Sequence, residues 1–93
     1  MTVQHEENGN KGVFYIEVEG KREAHMTYTK AGNDKIIIDH TEVGDRLRGK
    51  GVGYKLIEAS VDFLRSNKLK VIPLCPFAKA VFDKTREYSD VLT

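Results

Sequence analysis

RLRGKGVGYKL, Arg46 to Leu56, sets three glycines at alternate positions among four cations and runs straight into a helical pattern. A helix needs neither the glycines nor that charge density at its start. A helix start does expose unpaired backbone N–H groups and the positive end of its dipole. Glycine removes the Cβ that would hold an anion away from that backbone. Together these make a phosphate or pyrophosphate site, with Arg46, Arg48 and Lys50 placed to add charge-assisted bonds. A plain strand-to-helix turn needs fewer glycines, and Gly51 and Gly53 at a helix start each cost about 1 kcal/mol.

Downstream, Val52, Leu56, Ile57, Ala59, Val61, Phe63 and Leu64 form an apolar stripe at helical spacing, which Asn67 is expected to close in the left-handed conformation. LKVIPL, Leu69 to Leu74, reads as a strand, parallel to the strand before the helix in a right-handed βαβ unit. Pro76 suits the first position of a second helix, with Cys75 as its N-cap and Phe77, Ala80 and Val81 as its buried face. Upstream, Phe14, Ile16 and Val18 alternate along one strand, and Ala24, Met26 and Tyr28 along a second. Gly20-Lys21 between them suits a type II′ turn, and KIIIDHTEV, Lys35 to Val43, is a third strand. Tyr88, Val91 and Leu92 are expected to close the core in a last turn. The fold class is α+β: an antiparallel meander, then the βαβ unit and a second helix in one mixed sheet.

The 93 residues suffice for one small domain, expected over residues 11–93 behind a polar, flexible segment, 1–10. A composition 40% apolar and 31% charged is that of a globular protein. The net charge of +1 argues against a nucleic-acid binder, so the cations of the glycine stretch point to a local anion. A single cysteine fits a reducing cytoplasm. The N-terminus lacks a signal pattern, and no apolar run is long enough to span a bilayer.

Among phosphate loops, a dinucleotide fingerprint needs G-x-G-x-x-G, whereas Gly49, Gly51 and Gly53 give G-x-G-x-G. GDRLRGKG, Gly44 to Gly51, matches a P-loop except at the last position, where Gly51 replaces the hydroxyl that would hold Mg²⁺. RGKGVG, Arg48 to Gly53, matches [Q/R]-x-x-G-x-[G/A]. It resembles the acyl-CoA pyrophosphate loop of the GNAT superfamily of N-acetyltransferases, whose element order the chain also follows from about Gly12 onward. The blocks DHTEV, from Asp39, and VIPLCPFAKAVF, Val71 to Phe82, resemble a compact subgroup of that family. The resemblance implies that backbone N–H groups of Arg48, Gly49, Lys50, Gly51, Val52 and Gly53 hold the pyrophosphate of acetyl-CoA or coenzyme A. It implies that the Glu42–Val43 end of the third strand pairs with the pantetheine arm. It also implies that the two parallel strands splay to admit that arm. Pro73 suits the point of divergence, and equally an edge strand.

A lone cysteine is most often a small core residue. Cys75, however, ends a strand and precedes a helix N-terminus, where the dipole favours thiolate. The resemblance implies that it accepts the acyl group. His40 shares a face with Ile36 and Ile38 if the third strand keeps its period. There it is either a core histidine or the base that activates Cys75 or an incoming amine. Glu42, at the next same-face position, is a second candidate base or a solvated charge. Three histidines and one cysteine show no metal-ligand spacing, so no metal is expected.

Two departures from the larger family stand out. A short hairpin replaces the helices that shape the acceptor pocket, so the acceptor site is expected to be open or supplied by a protein partner or a second copy. Phe77 lies on the helix that often carries a tyrosine general acid, and no motif places Tyr54 or Tyr88. The expectation is a small acyltransferase moving acetyl from acetyl-CoA to an amine. The alternative is a CoA-binding module without catalysis.

Overall fold

A computed structural model describes residues 2–93. Its elements in chain order are β1 (Gln4–Asn8), β2 (Lys11–Val18), β3 (Lys21–Ala31), β4 (Lys35–Val43), α1 (Val52–Asn67), β5 (Lys70–Pro73) and α2 (Pro76–Lys84), followed by a 3₁₀ turn over Arg86–Val91. The strands form one sheet in the order β1-β2-β3-β4-β5. The first four are antiparallel neighbours, and β5 runs parallel to β4. This is the α+β mixed sheet expected from the sequence. The long apolar face of α1 and the Ala78, Val81 and Phe82 face of α2 pack with Phe14, Ile16, Ala24, Met26, Tyr28, Ile36 and Ile38 in one core. Both helices therefore cover the same side of the sheet.

Several local expectations are corrected. Residues 1–10 were read as polar and flexible, yet Gln4–Asn8 pairs with β2 as an edge strand. QHEEN has no apolar alternation, and its residues remain exposed. Side-chain bonds to the core tie it down instead. Tyr28, fully buried at its ring, donates its hydroxyl to Glu7 Oε2 at 2.6 Å and lies 2.6 Å from His5 Nε2. The His5 ring stacks on Phe14 at 4.2 Å. Burial, then the Glu7 bond, holds the Tyr28 phenol far above its usual range, while burial pushes His5 below its own.

The β2–β3 turn is Glu19-Gly20, with φ of 54° and 80°, so it is of type I′ and not II′. Lys68, not Asn67, takes the left-handed position after α1, at φ 55°, and Asn67 Nδ2 donates back to the Phe63 carbonyl at 2.9 Å. Ala80 of α2 is exposed and Phe77 half-buried, because α2 turns Ala78 and Phe82 inward. The C-terminal segment returns to the sheet: Leu92 bridges Val71, and Thr93 N donates to the Val71 carbonyl.

One irregularity outweighs the rest for function. Tyr28 pairs with Ile38 but Thr27 pairs with His40, so Asp39 is an extra residue in β4. A bulge of this kind bends its strand and re-aims the side chains beyond it. Thr29 Oγ1 donates to Asp39 Oδ2 at 2.8 Å and holds the extra residue on the outer side.

Candidate functional site

Pairing between β4 and β5 runs from Lys35–Lys70 to Ile38–Pro73 and stops there, at the bulge. The N–H groups of Leu74 and Cys75 both donate to the Ile38 carbonyl, at 3.1 and 3.2 Å, closing the apex of a split between the strands. Pro73 sits at this last paired position, on the edge strand as well, so both of its sequence readings hold. Beyond the apex lies a cavity of about 390 Å³. Thr41 and Val43 of β4 form one wall, Leu47 to Gly49 and Gly51 to Tyr54 another, and Phe77 of α2 the floor.

The loop entering α1 is a series of tight turns. Leu47, Arg48 and Lys50 donate their N–H groups to the carbonyls of Gly44, Asp45 and Leu47. Gly49 and Gly51 take φ of 81° and 70°, and a Cβ at either would meet nothing within 4 Å. Gly51 is the N-cap of α1 and supplies no side chain to cap it. The helix thus opens on the cavity with bare backbone donors and its positive dipole end. Gly53 serves a different purpose, since a Cβ there would lie 2.6 Å from the Phe77 ring. It lets α2 approach α1.

The cations divide unevenly. Arg46 is committed to the hairpin, 3.0 Å from Glu19 Oε1 and 3.9 Å from Glu23 Oε2. Arg48 contacts the cavity and is held 2.9 Å from Asp45 Oδ1. Lys50 stays exposed in the loop.

Cys75 is 5% exposed and is the N-cap of α2. Its thiol donates to Thr41 Oγ1 at 3.3 Å. Burial pushes the thiol up, but the Thr41 hydroxyl and the backbone N–H groups of Ala78 and Phe77 together bring it below its ordinary value. The hydroxyl can reverse and donate once the thiolate forms. The side chain beside the Cys75 thiol is therefore not His40 but Thr41, which was missed. Only the parity flip at Asp39 brings it to the inner face, opposite Met26.

His40 does not share a face with Ile36 and Ile38, as regular alternation required. It is exposed on the helix-free side, its ring 6.0 Å from that of His25 and its Nε2 4.0 Å from Glu42 Oε2. The Glu42 side chain lies on that side too, opposite His25, so only Val43 of the expected Glu42–Val43 pair lines the cavity. Leu47, Tyr54 and Phe77 in its wall were also not foreseen as site residues. Tyr54 is half-exposed, and its hydroxyl accepts from Lys84 Nζ at 2.9 Å. The spacing of the histidines showed no ligand motif, yet the fold gathers His25, His40 and Glu42 with ligand atoms all within 4.8 Å.

A family model of GCN5-related N-acetyltransferases matches residues 13–91. Among solved structures, a GCN5-like protein from Staphylococcus aureus is 43% identical, with a TM-score of 0.75 over 97% of this chain and 87% of that one. The ribosomal-protein-alanine N-acetyltransferase of Brucella melitensis is 18% identical with a TM-score of 0.67, and the chain spans 62% of its length. An aminoglycoside acetyltransferase from an uncultured soil sample, solved with sisomicin, is 19% identical with a TM-score of 0.62, and the chain spans 59% of it. The last two are likenesses of fold. No curated protein matches the chain. No helix among the described residues is long and apolar enough to cross a membrane.

Proposed function

This chain belongs to the GCN5-related N-acetyltransferases, and on that premise we propose that it binds acetyl-CoA in the β4–β5 split and transfers the acetyl group to an amine by way of Cys75. The observation that carries the proposal is the joining of two features by one cavity. At one side is the uncapped α1 start with its open Gly49 and Gly51; in the wall is Thr41, 3.3 Å from the Cys75 sulfur. The glycine backbone fits a diphosphate: its donors are bare, no Cβ stands over them, and Arg48 is beside them. The pantetheine arm would then run along Val43 toward Thr41.

The Cys75 thiolate, favoured by Thr41 and the α2 amides, attacks the thioester carbonyl. One thioester replaces another, with CoA leaving as its thiolate. The amine then attacks acetyl-Cys75, its nitrogen forms the amide bond, the C–S bond breaks and Cys75 recovers its electron pair. His40 stands on the helix-free side of β4, next in sequence to Thr41, where it can take the proton from an amine arriving on that side. Such chemistry suits a cytoplasm, where a free thiol persists. A second reading, a CoA-binding module without turnover, is favoured by one feature: Phe77, with no acidic proton, stands in the cavity where a departing thiolate would need one.

Calorimetric titration with acetyl-CoA, followed by intact mass measurement, tests both. Binding with a gain of one acetyl group that maps to Cys75 supports the covalent route. Binding with no acetyl gain and no transfer to an amine panel favours the module. Full transfer by Cys75→Ala would remove the covalent step, and absence of any binding would remove the whole reading.

A further inference from the structure

The helix-free face of the sheet carries a feature separate from the cavity. Across it runs a row of directly paired residues, Gln4–Tyr15–His25–Glu42, and beside it a second row, Glu6–Val13–Thr27–His40. His25 and Glu42 are cross-strand partners, and His40 precedes Glu42 by two residues on the same strand and face. We propose that His25, His40 and Glu42 form a surface site for a divalent transition-metal ion of the zinc class.

Donor type and geometry agree. Two imidazoles and one carboxylate suit zinc, nickel or copper better than the hard cations magnesium and calcium, which take oxygen. Glu42 lies between the two rings, its Oε1 3.9 Å from His25 Nε2 and its Oε2 4.0 Å from His40 Nε2. Ligand atoms around a tetrahedral zinc lie about 3.3 Å apart, so the three must draw in by roughly an ångström, within reach of side-chain rotation. Strand pairing holds the three Cα atoms, so little backbone ordering remains to oppose binding. Three protein ligands leave the fourth position to water or an incoming group.

The neighbouring cations do not compete for Glu42. Arg22 is 2.8 Å from Glu6 and stacks 3.8 Å over the Tyr15 ring. Arg46 is taken by Glu19 and Glu23, and Arg48 by Asp45. That leaves the Glu42 carboxylate to the two histidines. His25 is the anchor, with its side chain about two-thirds buried between Tyr15 and Glu42. The arrangement depends on the bulge, which sets His40 across from Thr27 on the face of His25.

The test uses the untagged full chain, with zinc chloride by calorimetry and cobalt chloride by visible absorption. One zinc per chain is expected, with a cobalt spectrum of low coordination number. His25→Gln and His40→Gln should each weaken zinc by at least about tenfold, the scale on which even outer-shell changes act. Cys75→Ser should leave zinc affinity unchanged. No binding by the native chain, binding that survives both histidine changes, or binding lost in Cys75→Ser would each overturn the site. None of these outcomes depends on acetyl-CoA, so the site is tested apart from the acyltransfer reading; zinc on His40 would withhold that imidazole from the incoming amine.

Discussion

The two halves of β4 follow different rules. Lys35 to Ile38 is paired on both sides, to β3 and to β5, and alternates regularly, with Ile36 and Ile38 buried. From Asp39 to Val43 the strand keeps β3 but leaves β5, and its inward residues become Thr41 and Val43. The first half is held by burial of β-branched side chains. The second is held open by one surplus residue. The contrast teaches that a cleft in a sheet this small needs no extra element: a single bulge accompanies the parting of one strand end and turns a hydroxyl toward a thiol.

Deleting Asp39 is the sharpest way to break that contrast. A regular strand would keep His40 outward and Thr41 inward, but without the bend that parts β4 from β5. A folded protein with coenzyme A binding reduced by about 100-fold or more is expected, an effect of several kcal/mol, read by thermal unfolding beside calorimetry. Retained affinity would show that the bulge is not what opens the split.

Next in size is Gly53→Ala. Its Cβ would press on the Phe77 ring, so a loss of about 1–3 kcal/mol is expected in urea unfolding. Phe77→Leu in the same chain should recover part of it, since the smaller side chain yields. Gly51→Ala sharpens the comparison between glycines. Nothing crowds it, but φ of 70° strains any L side chain, at about 1 kcal/mol. Its larger signature should be in coenzyme A affinity, about tenfold weaker as the methyl intrudes on the anion. Gly53→Ala that weakened ligand while sparing stability would reverse the assignment.

The smallest effect is expected from Thr41→Val. Removing the hydroxyl removes a donor that favours the Cys75 thiolate, so the thiol moves up toward its ordinary range. The pH profile of alkylation by iodoacetamide should shift to higher pH. The rate at neutral pH should fall a few-fold, while the rate well above the thiol range stays the same. An unshifted profile would mean that the α2 amides alone hold the thiolate.

Legibility followed chain locality. The glycine loop, the α1 stripe and the cap position of Cys75 depend on neighbours within a few residues, and each was readable as written. β1 was not, because QHEEN has no apolar face and is held by Tyr28 and Phe14, side chains of other strands. His40 was placed on the wrong face for a similar reason: nothing in IIIDHTEV marks Asp39 as surplus, and the count shows only against β3.

By itself, the sequence determined the order of elements from β2 onward, the glycine-rich turn before α1 and the presence of one cysteine at a helix start. Those follow from backbone sterics and side-chain period, which act over a turn or a strand. The tertiary structure alone decided which face each residue beyond Asp39 presents, that Thr41 meets Cys75, and that His25, His40 and Glu42 meet each other. Such partners are set by strand register, and register is a property of two segments that neither contains alone.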